Sequence, residues 1–95
     1  MEITTSSNKV TITGNIKSVS DYQSIKSELD HLAKQYSSIT VDIKDSISIT
    51  SSVIGYFNKL VLKDNIDLRL NIGNDQLLDL LKDLNLASTF KATKA

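Results

Sequence analysis

Apolar and polar residues alternate in three segments of the chain, the pattern of strands that bury one face. The first segment runs from Asn8 to Thr13 and is broken by Gly14-Asn15. The apolar positions of the other two segments are Ile39, Val41 and Ile43, and then Ile66, Leu68, Leu70 and Ile72. We also expect a short strand around Thr89 to Ala92, and the pattern allows one more at Ile3 to Thr5.

Three other segments repeat apolar residues every three or four positions, the spacing of a helix with one buried face. Their apolar residues are Tyr22, Ile25, Leu29, Leu32 and Tyr36; Val53, Ile54, Phe57, Leu60 and Val61; and Leu77, Leu80, Leu81 and Leu84. Ser20 and Gln23 form a predicted capping box for the first helix. The second helix is predicted over Ser51 to Lys63. Asn74 is expected to cap the third helix, and Asn85 to close it in the left-handed conformation.

Strands that alternate with helices predict parallel pairing through crossover connections. The strands keep polar residues at every second position, among them Asp42, Lys44, Asp67 and Arg69, so one face of the sheet should stay in water. We therefore predict an α/β fold: a two-layer sandwich of a four- or five-stranded, mixed and mostly parallel sheet with helices packed on one face. One apolar pattern over 95 residues predicts a single domain, residues 1–95.

Charge and composition narrow the classes of partner. Eleven Lys and Arg residues balance eleven Asp and Glu residues, and the chain has no Cys. A balanced charge lacks the positive field that draws proteins onto nucleic acid or anionic lipid. No apolar run reaches the roughly 20 residues that span a bilayer. We expect a cytoplasmic protein with no nucleic-acid partner, no direct membrane insertion and no cofactor, and the sequence leaves its oligomeric state open.

The sequence contains no residue pattern typical of a catalytic or metal site. His31 is the only histidine, and it lies beside the apolar stripe of the first helix, where we expect a surface position. A Ser-His-Asp device would need His31 to reach Ser51 or Ser52 on another element. One histidine with scattered carboxylates offers no metal-ligand spacing. Asp42 and Asp45 are interpreted as strand-surface and turn residues, and the chain is expected not to be an enzyme.

The most informative segment places Thr50, Ser51 and Ser52 where a loop becomes the second helix. A helix start presents unpaired N–H groups and the positive end of the helix dipole, which favour a capping oxygen and also a phosphate. The hydroxyl residues therefore allow two interpretations, a simple cap or a modification site. On the last helix, Leu78 lies off the main stripe and is the expected contact residue of that helix.

The segment from Val41 to Gly55 resembles a STAS domain, the anti-sigma factor antagonist family. The strand Val41-Asp42-Ile43, the serine pair Ser51-Ser52 and Gly55 match the strand, serine pair and glycine of the family motif. The early glycine and the closing segment of the family also have counterparts, in Gly14, Leu86 and Phe90. The resemblance covers nearly the whole chain and implies the same two-layer fold.

What the resemblance implies is partner switching without enzymatic activity. An antagonist of this kind binds a protein kinase that acts as an anti-sigma factor, is phosphorylated by it, and is restored by a phosphatase. The resemblance places the phosphate on Ser52, with Ser51 and Thr50 as alternatives. The implied partner-binding residues are Thr50, Ser51, Ser52, Val53 and Tyr56.

Two positions depart from the family motif. Thr50 stands where the family has Asp, and Val53 stands where the family has Gly. Thr50 keeps the capping oxygen but removes a carboxylate beside the serine pair. These departures favour the alternative function, a STAS-like binding subunit that is never phosphorylated and belongs to a larger complex, such as a transporter assembly or a signalling scaffold.

Overall fold

Each strand of the sheet pairs with the next strand along the chain, in a computed structural model that describes residues 1–95. The elements in order are β1 (Glu2–Ser6), β2 (Lys9–Thr13), α1 (Val19–Ala33), β3 (Ser38–Ile43), α2 (Ser51–Leu62), β4 (Asp67–Ile72), α3 (Asp75–Asp83) and β5 (Thr93–Lys94). The β1–β2 pair is antiparallel and the other three pairs are parallel. The predicted α/β fold with a mixed, mostly parallel sheet is therefore confirmed, and the sheet has five strands.

The three helices cover one face of this sheet. Successive parallel strands joined by right-handed crossovers that always step in the same direction place every helix on the same side. Apolar and polar residues alternate along β2, β3 and β4, so their apolar side chains all lie on the face that the helices cover. Twenty-one buried apolar residues form one cluster, with Phe57 and Phe90 in edge-to-face contact at 5.7 Å between ring centroids.

The opposite face of the sheet is polar and has no helix over it. Register pairs Thr11 with Asp42 and Asp42 with Asn71, so one polar row crosses three strands. Asn71 Nδ2 donates to Asp42 Oδ1 at 2.7 Å, and Lys9 Nζ lies 2.9 Å from Asp42 Oδ2. Burial raises the pKa of Asp42, but the hydrogen bonds from Lys9 and Asn71 outweigh it and hold that pKa below its ordinary value. Asp42 thus lies on the helix-free face, as predicted, and its partners keep it ionised.

The start of α1 corrects the predicted capping box. The cap is Ser18, whose hydroxyl accepts the N–H of Asp21 at 3.0 Å, while Asp21 Oδ2 accepts the N–H of Ser18 at 3.1 Å. The helix therefore begins ahead of Ser20, which is exposed. Asp21 also accepts the N–H of Lys17, and these backbone bonds lower its pKa despite partial desolvation. The capping box is therefore completed by Asp21 and not by Gln23 as predicted.

The end of the chain follows the prediction in part. Asn74 caps α3 by accepting the N–H of Leu77, and Asn85 adopts a positive φ of 59° after the helix, as predicted. The last strand lies at Thr93–Lys94 rather than at Thr89 to Ala92. The predicted segment forms turns because Phe90 is buried in the core and Lys91 takes a φ of 48°, which a strand does not tolerate.

No helix of this structure combines the length and the apolar character that a bilayer crossing requires.

Candidate interaction site at the start of the second helix

The carboxyl ends of β2, β3 and β4 lie at the same end of the sheet, since these strands run parallel. Three loops leave the sheet there, over residues 14–18, 44–50 and 73–74. The loop after β3 leads into α2 and carries the hydroxyl residues singled out in the sequence. This end of the sheet therefore collects the loops that lead into α1, α2 and α3.

Ser46 anchors the β3–α2 loop from inside the protein. Its Oγ accepts the backbone N–H of Ile16 at 3.0 Å and donates to the carbonyl oxygen of Ser48 at 2.6 Å. Ser46 is fully buried and is the only buried polar residue of the chain. Both hydrogen-bonding functions of the hydroxyl are therefore used, and they join the loops after β2 and β3.

Two further side chains join the same pair of loops. The carboxylate of Asp45 accepts the N–H of Gly14 at 2.7 Å, and the side-chain oxygen of Asn15 accepts the N–H of Ile47 at 3.1 Å. Gly14 has a φ of 84°, a conformation that a residue with a Cβ adopts only under strain. The predicted turn role of Asp45 thus has a definite geometry, in which it fixes the path of the neighbouring loop.

Gly73 holds the third loop against the second. Its N–H donates to the carbonyl of Ile43 at 2.8 Å. A Cβ at position 73 would lie 2.0 Å from the carbonyl oxygen of Lys44. Only glycine permits this approach, so the loops after β2 and β4 are each held to the loop after β3.

The start of α2 is exposed and has no carboxylate. Thr50 is the cap, with its Oγ1 accepting the N–H of Val53 at 3.3 Å, and the exposed Ser51 and Ser52 follow in the first turn. The other two helices each have an aspartate in the first turn. The positive end of the α2 dipole is therefore met by hydroxyl groups alone.

Two of the five predicted partner-binding residues are not available for contact. Val53 is fully buried and Tyr56 is only 3% exposed, because both lie on the face of α2 that packs on the core. Thr50, Ser51 and Ser52 remain at the surface, with Thr50 partly buried. The expected contact role of Leu78 is wrong for the same reason, since α3 buries it against the core.

Tyr56 instead links α2 to α1. Its hydroxyl donates to Asp30 Oδ1 at 2.6 Å, and Lys26 Nζ lies 2.6 Å from Asp30 Oδ2. Lys26 and Lys59 also lie over the Tyr56 ring, at 5.7 Å and 5.9 Å from its centroid. Burial and the adjacent carboxylate raise the pKa of Tyr56, so it stays a neutral donor. This network sets the spacing of the two helices and thereby the position of the start of α2.

His31 lies apart from the hydroxyl cluster. It is exposed in the last turn of α1, whereas Ser51 and Ser52 lie in the first turn of α2. Both helices follow strands of the parallel set and run in the same direction, so these turns lie at opposite ends of the helix layer. The Nε2 of His31 lies 3.2 Å from Gln35 Nε2, with no carboxylate at hydrogen-bonding distance. The chain contains no group of three or more His, Cys, Asp or Glu residues placed to bind a metal ion.

The loop that precedes the serine pair carries one exposed apolar residue that the sequence pattern did not indicate. Ile47 is 52% exposed in the β3–α2 loop, while Ile49, two positions later, is partly buried against the core. The alternation of the strand ends at Ile43, so the pattern gave no indication that Ile47 points outward. The β3–α2 loop and the first turn of α2 thus expose one apolar group, Ile47, and two hydroxyl groups, Ser51 and Ser52.

No protein-family model, no curated protein and no solved structure matches this chain. The resemblance to the STAS family therefore rests on the residues quoted above, and any function must be argued from the geometry of the site.

Proposed function

We propose that the chain is a non-enzymatic regulatory protein of the anti-sigma factor antagonist type. In this proposal it binds a partner-switching protein kinase through the start of α2, and phosphorylation of Ser52 controls the binding. The observation that carries the proposal is the pair of exposed hydroxyl groups, Ser51 and Ser52, in a helix turn that has no carboxylate.

Electrostatics favours a phosphate at Ser52 within the protein. A phosphoserine carries about −1.5 to −2 charges at neutral pH, and a helix start carries about +0.5. The equivalent turns of α1 and α3 already contain Asp21 and Asp75. A phosphate on Ser52 would supply the charge that α2 lacks, without moving any element of the fold.

The loop that leads to Ser52 offers a contact suited to a switch. Ile47 offers an apolar contact that a partner would desolvate, and the loop that carries it is fixed by Asn15 and Ser46. A surface that is rigid before binding loses little conformational entropy in the complex. Repulsion and lost contacts of only about 3 kcal/mol on phosphorylation would weaken the complex by roughly a hundredfold.

The alternative function, a binding subunit that is never phosphorylated, is supported by Thr50. Its Oγ1 is engaged in capping α2, and the position has no carboxylate to orient the magnesium of a kinase. In this case the same surface would bind its partner permanently, as in a transporter assembly or a signalling scaffold.

Phosphate analysis separates the two functions. The chain is incubated with ATP and an extract of the cells that produce it, recovered, and analysed by mass spectrometry. We expect a phosphate on Ser52 that is lost in Ser52→Ala and retained in the matched control Ser51→Ala. Absence of phosphate from Thr50, Ser51 and Ser52, together with equal capture of one partner by wild type and Ser52→Asp, would establish the alternative.

A further inference from the structure

The backbone of β1 is hydrogen-bonded on one side only. The carbonyls of Asn8 and Ile12 accept the N–H groups of Thr40 and Lys44, so alternate residues of β2 face β3 and the residues between them face β1. The β2 residues that face β1 lie opposite Glu2, Thr4 and Ser6, so these three residues are the ones that exchange backbone hydrogen bonds with β2. The N–H and C=O groups of Ile3 and Thr5 consequently point away from the sheet, with no partner.

The two edges of the sheet are protected very differently. The β5 edge is only two residues long, contains Lys94 and follows Lys91, the short and charged form that prevents pairing with another chain. The β1 edge has five residues in unbroken register, no Pro, no Lys and one charged residue, Glu2. Isoleucine and threonine, both favoured in strands, occupy its centre. It has the properties of a strand that accepts another strand.

The space beside this edge is open and carries little charge. A groove of about 390 Å³ runs between β1 and α1 and is lined by Ile3, Ser20, Gln23, Ser24, Ser27 and Glu28. Glu28 is the only charged residue among them, and its carboxylate accepts a hydrogen bond from Thr5 Oγ1 at 2.9 Å. The short serine side chains leave room for a second helix next to α1.

We propose that β1 pairs with β1 of a second copy of this chain, antiparallel and centred on Thr4. In this register Ile3 of each copy lies opposite Thr5 of the other copy, which gives two such pairs. Each pair forms two backbone hydrogen bonds through the outward N–H and C=O groups, four in total. Glu2 lies opposite Ser6, which avoids any pair of like charges along the strands. The twofold axis is perpendicular to the sheet, so both α1 helices lie on the same face and their serine-lined sides meet. The product is a continuous ten-stranded sheet.

Sedimentation equilibrium of the full chain tests this proposal. We expect a monomer–dimer equilibrium that weakens at least tenfold in Thr5→Pro, because proline removes two of the four hydrogen bonds and its missing N–H points away from β2. The matched control Thr5→Val loses the contact with Glu28 but keeps the backbone donor, and its dimer constant should equal that of wild type. A second variant, Thr4→Lys, places two positive charges at the axis and should also weaken the dimer.

Hydrogen exchange gives a readout that does not depend on a variant folding. In the wild-type chain the amides of Ile3 and Thr5 should gain protection as the protein concentration rises, while the amide of Thr4, already bonded to β2, should not change. A chain that remains monomeric at about 1 mM, the concentration for a binding free energy near −4 kcal/mol, overturns the proposal. A dimer whose Ile3 and Thr5 amides stay unprotected overturns it as well, and assigns the association to another surface.

Discussion

The hydroxyl oxygen of Ser46 accepts the backbone N–H of Ile16 across 3.0 Å, and both residues are fully buried. We expect Ser46→Ala to lower the free energy of unfolding by about 1 to 3 kcal/mol, because the amide of Ile16 would lose its partner in a place that water does not reach. Urea unfolding followed by circular dichroism measures the change. Ser48→Ala is the matched control, since Ser48 is exposed and uses only its carbonyl group. Equal unfolding midpoints for the two variants would contradict this role of Ser46.

Two glycines should respond to the same substitution with opposite signs. Gly73→Ala should destabilise the fold by at least about 2 kcal/mol, since its Cβ would collide with the carbonyl oxygen of Lys44. Gly55→Ala should stabilise it by about 0.5 to 1 kcal/mol, because Gly55 lies inside α2 and a Cβ there meets no atom within 4 Å. Thermal unfolding of both variants checks the prediction, and a Gly73→Ala protein as stable as wild type would show that the two loops are not packed as described.

Protonation of Asp42 should contribute to the loss of unfolding free energy in acid. Its folded pKa lies below the ordinary value of 3.8, so its contribution is fully present above pH 3.8 and is lost as the pH falls through the folded pKa. Urea midpoints measured between pH 2 and pH 6 should therefore drop less steeply in Asp42→Asn than in wild type. Asp79→Asn is the control, since it removes an exposed carboxylate that forms no ion pair. Identical slopes in all three proteins would exclude the predicted role of Asp42.

Charge at position 52 should change the stability of the isolated protein in a defined order. Ser52→Asp should raise the free energy of unfolding by about 0.3 to 1 kcal/mol and Ser52→Lys should lower it by a similar amount, because the side chain lies at the positive end of α2. Ser52→Ala should fall between them. At about 1 M salt the Debye length falls to about 3 Å, so the differences in unfolding free energy among these variants should become smaller. A series with no order, or with no dependence on salt, would remove the electrostatic support for a phosphate at Ser52.

The fold could be predicted from the sequence because it depends mainly on the spacing of apolar residues within each strand and helix. Alternation in the strands and three- to four-residue spacing in the helices specify which face of each element is buried, and the helix-covered face follows from both. Residues such as Asp42 and Asp67 at alternate strand positions indicated correctly that one sheet face has no helix. One error occurred where two residues compete for one role. Ser18 and Ser20 are both followed three positions later by a side chain able to complete a capping box, and the choice between them depends on the path of the preceding loop.

The site was less accessible, since it depends on contacts between residues far apart in the chain. The hydrogen bond from Ile16 to Ser46 joins residues that no periodic pattern relates. The rotation of α2 about its axis decides that Val53 and Tyr56 face the core while Ser51 and Ser52 face water, and a motif aligned by position alone does not contain that rotation. The sequence located the start of α2 correctly and placed Val53 on its apolar stripe, but the family motif did not show that Val53 and Tyr56 are both buried.

The strand order has a consequence for how the sheet is built. Every strand pairs with a chain neighbour, so the structure can be extended one strand and one helix at a time as synthesis proceeds, beginning with the two-residue hairpin between β1 and β2. No strand has to wait for a later one to be inserted between it and its partner, and each closure joins segments that are close in the chain. During this growth the newest strand always forms one edge and β1 always forms the other. The β1 edge is therefore exposed throughout assembly, from the first hairpin to the folded monomer.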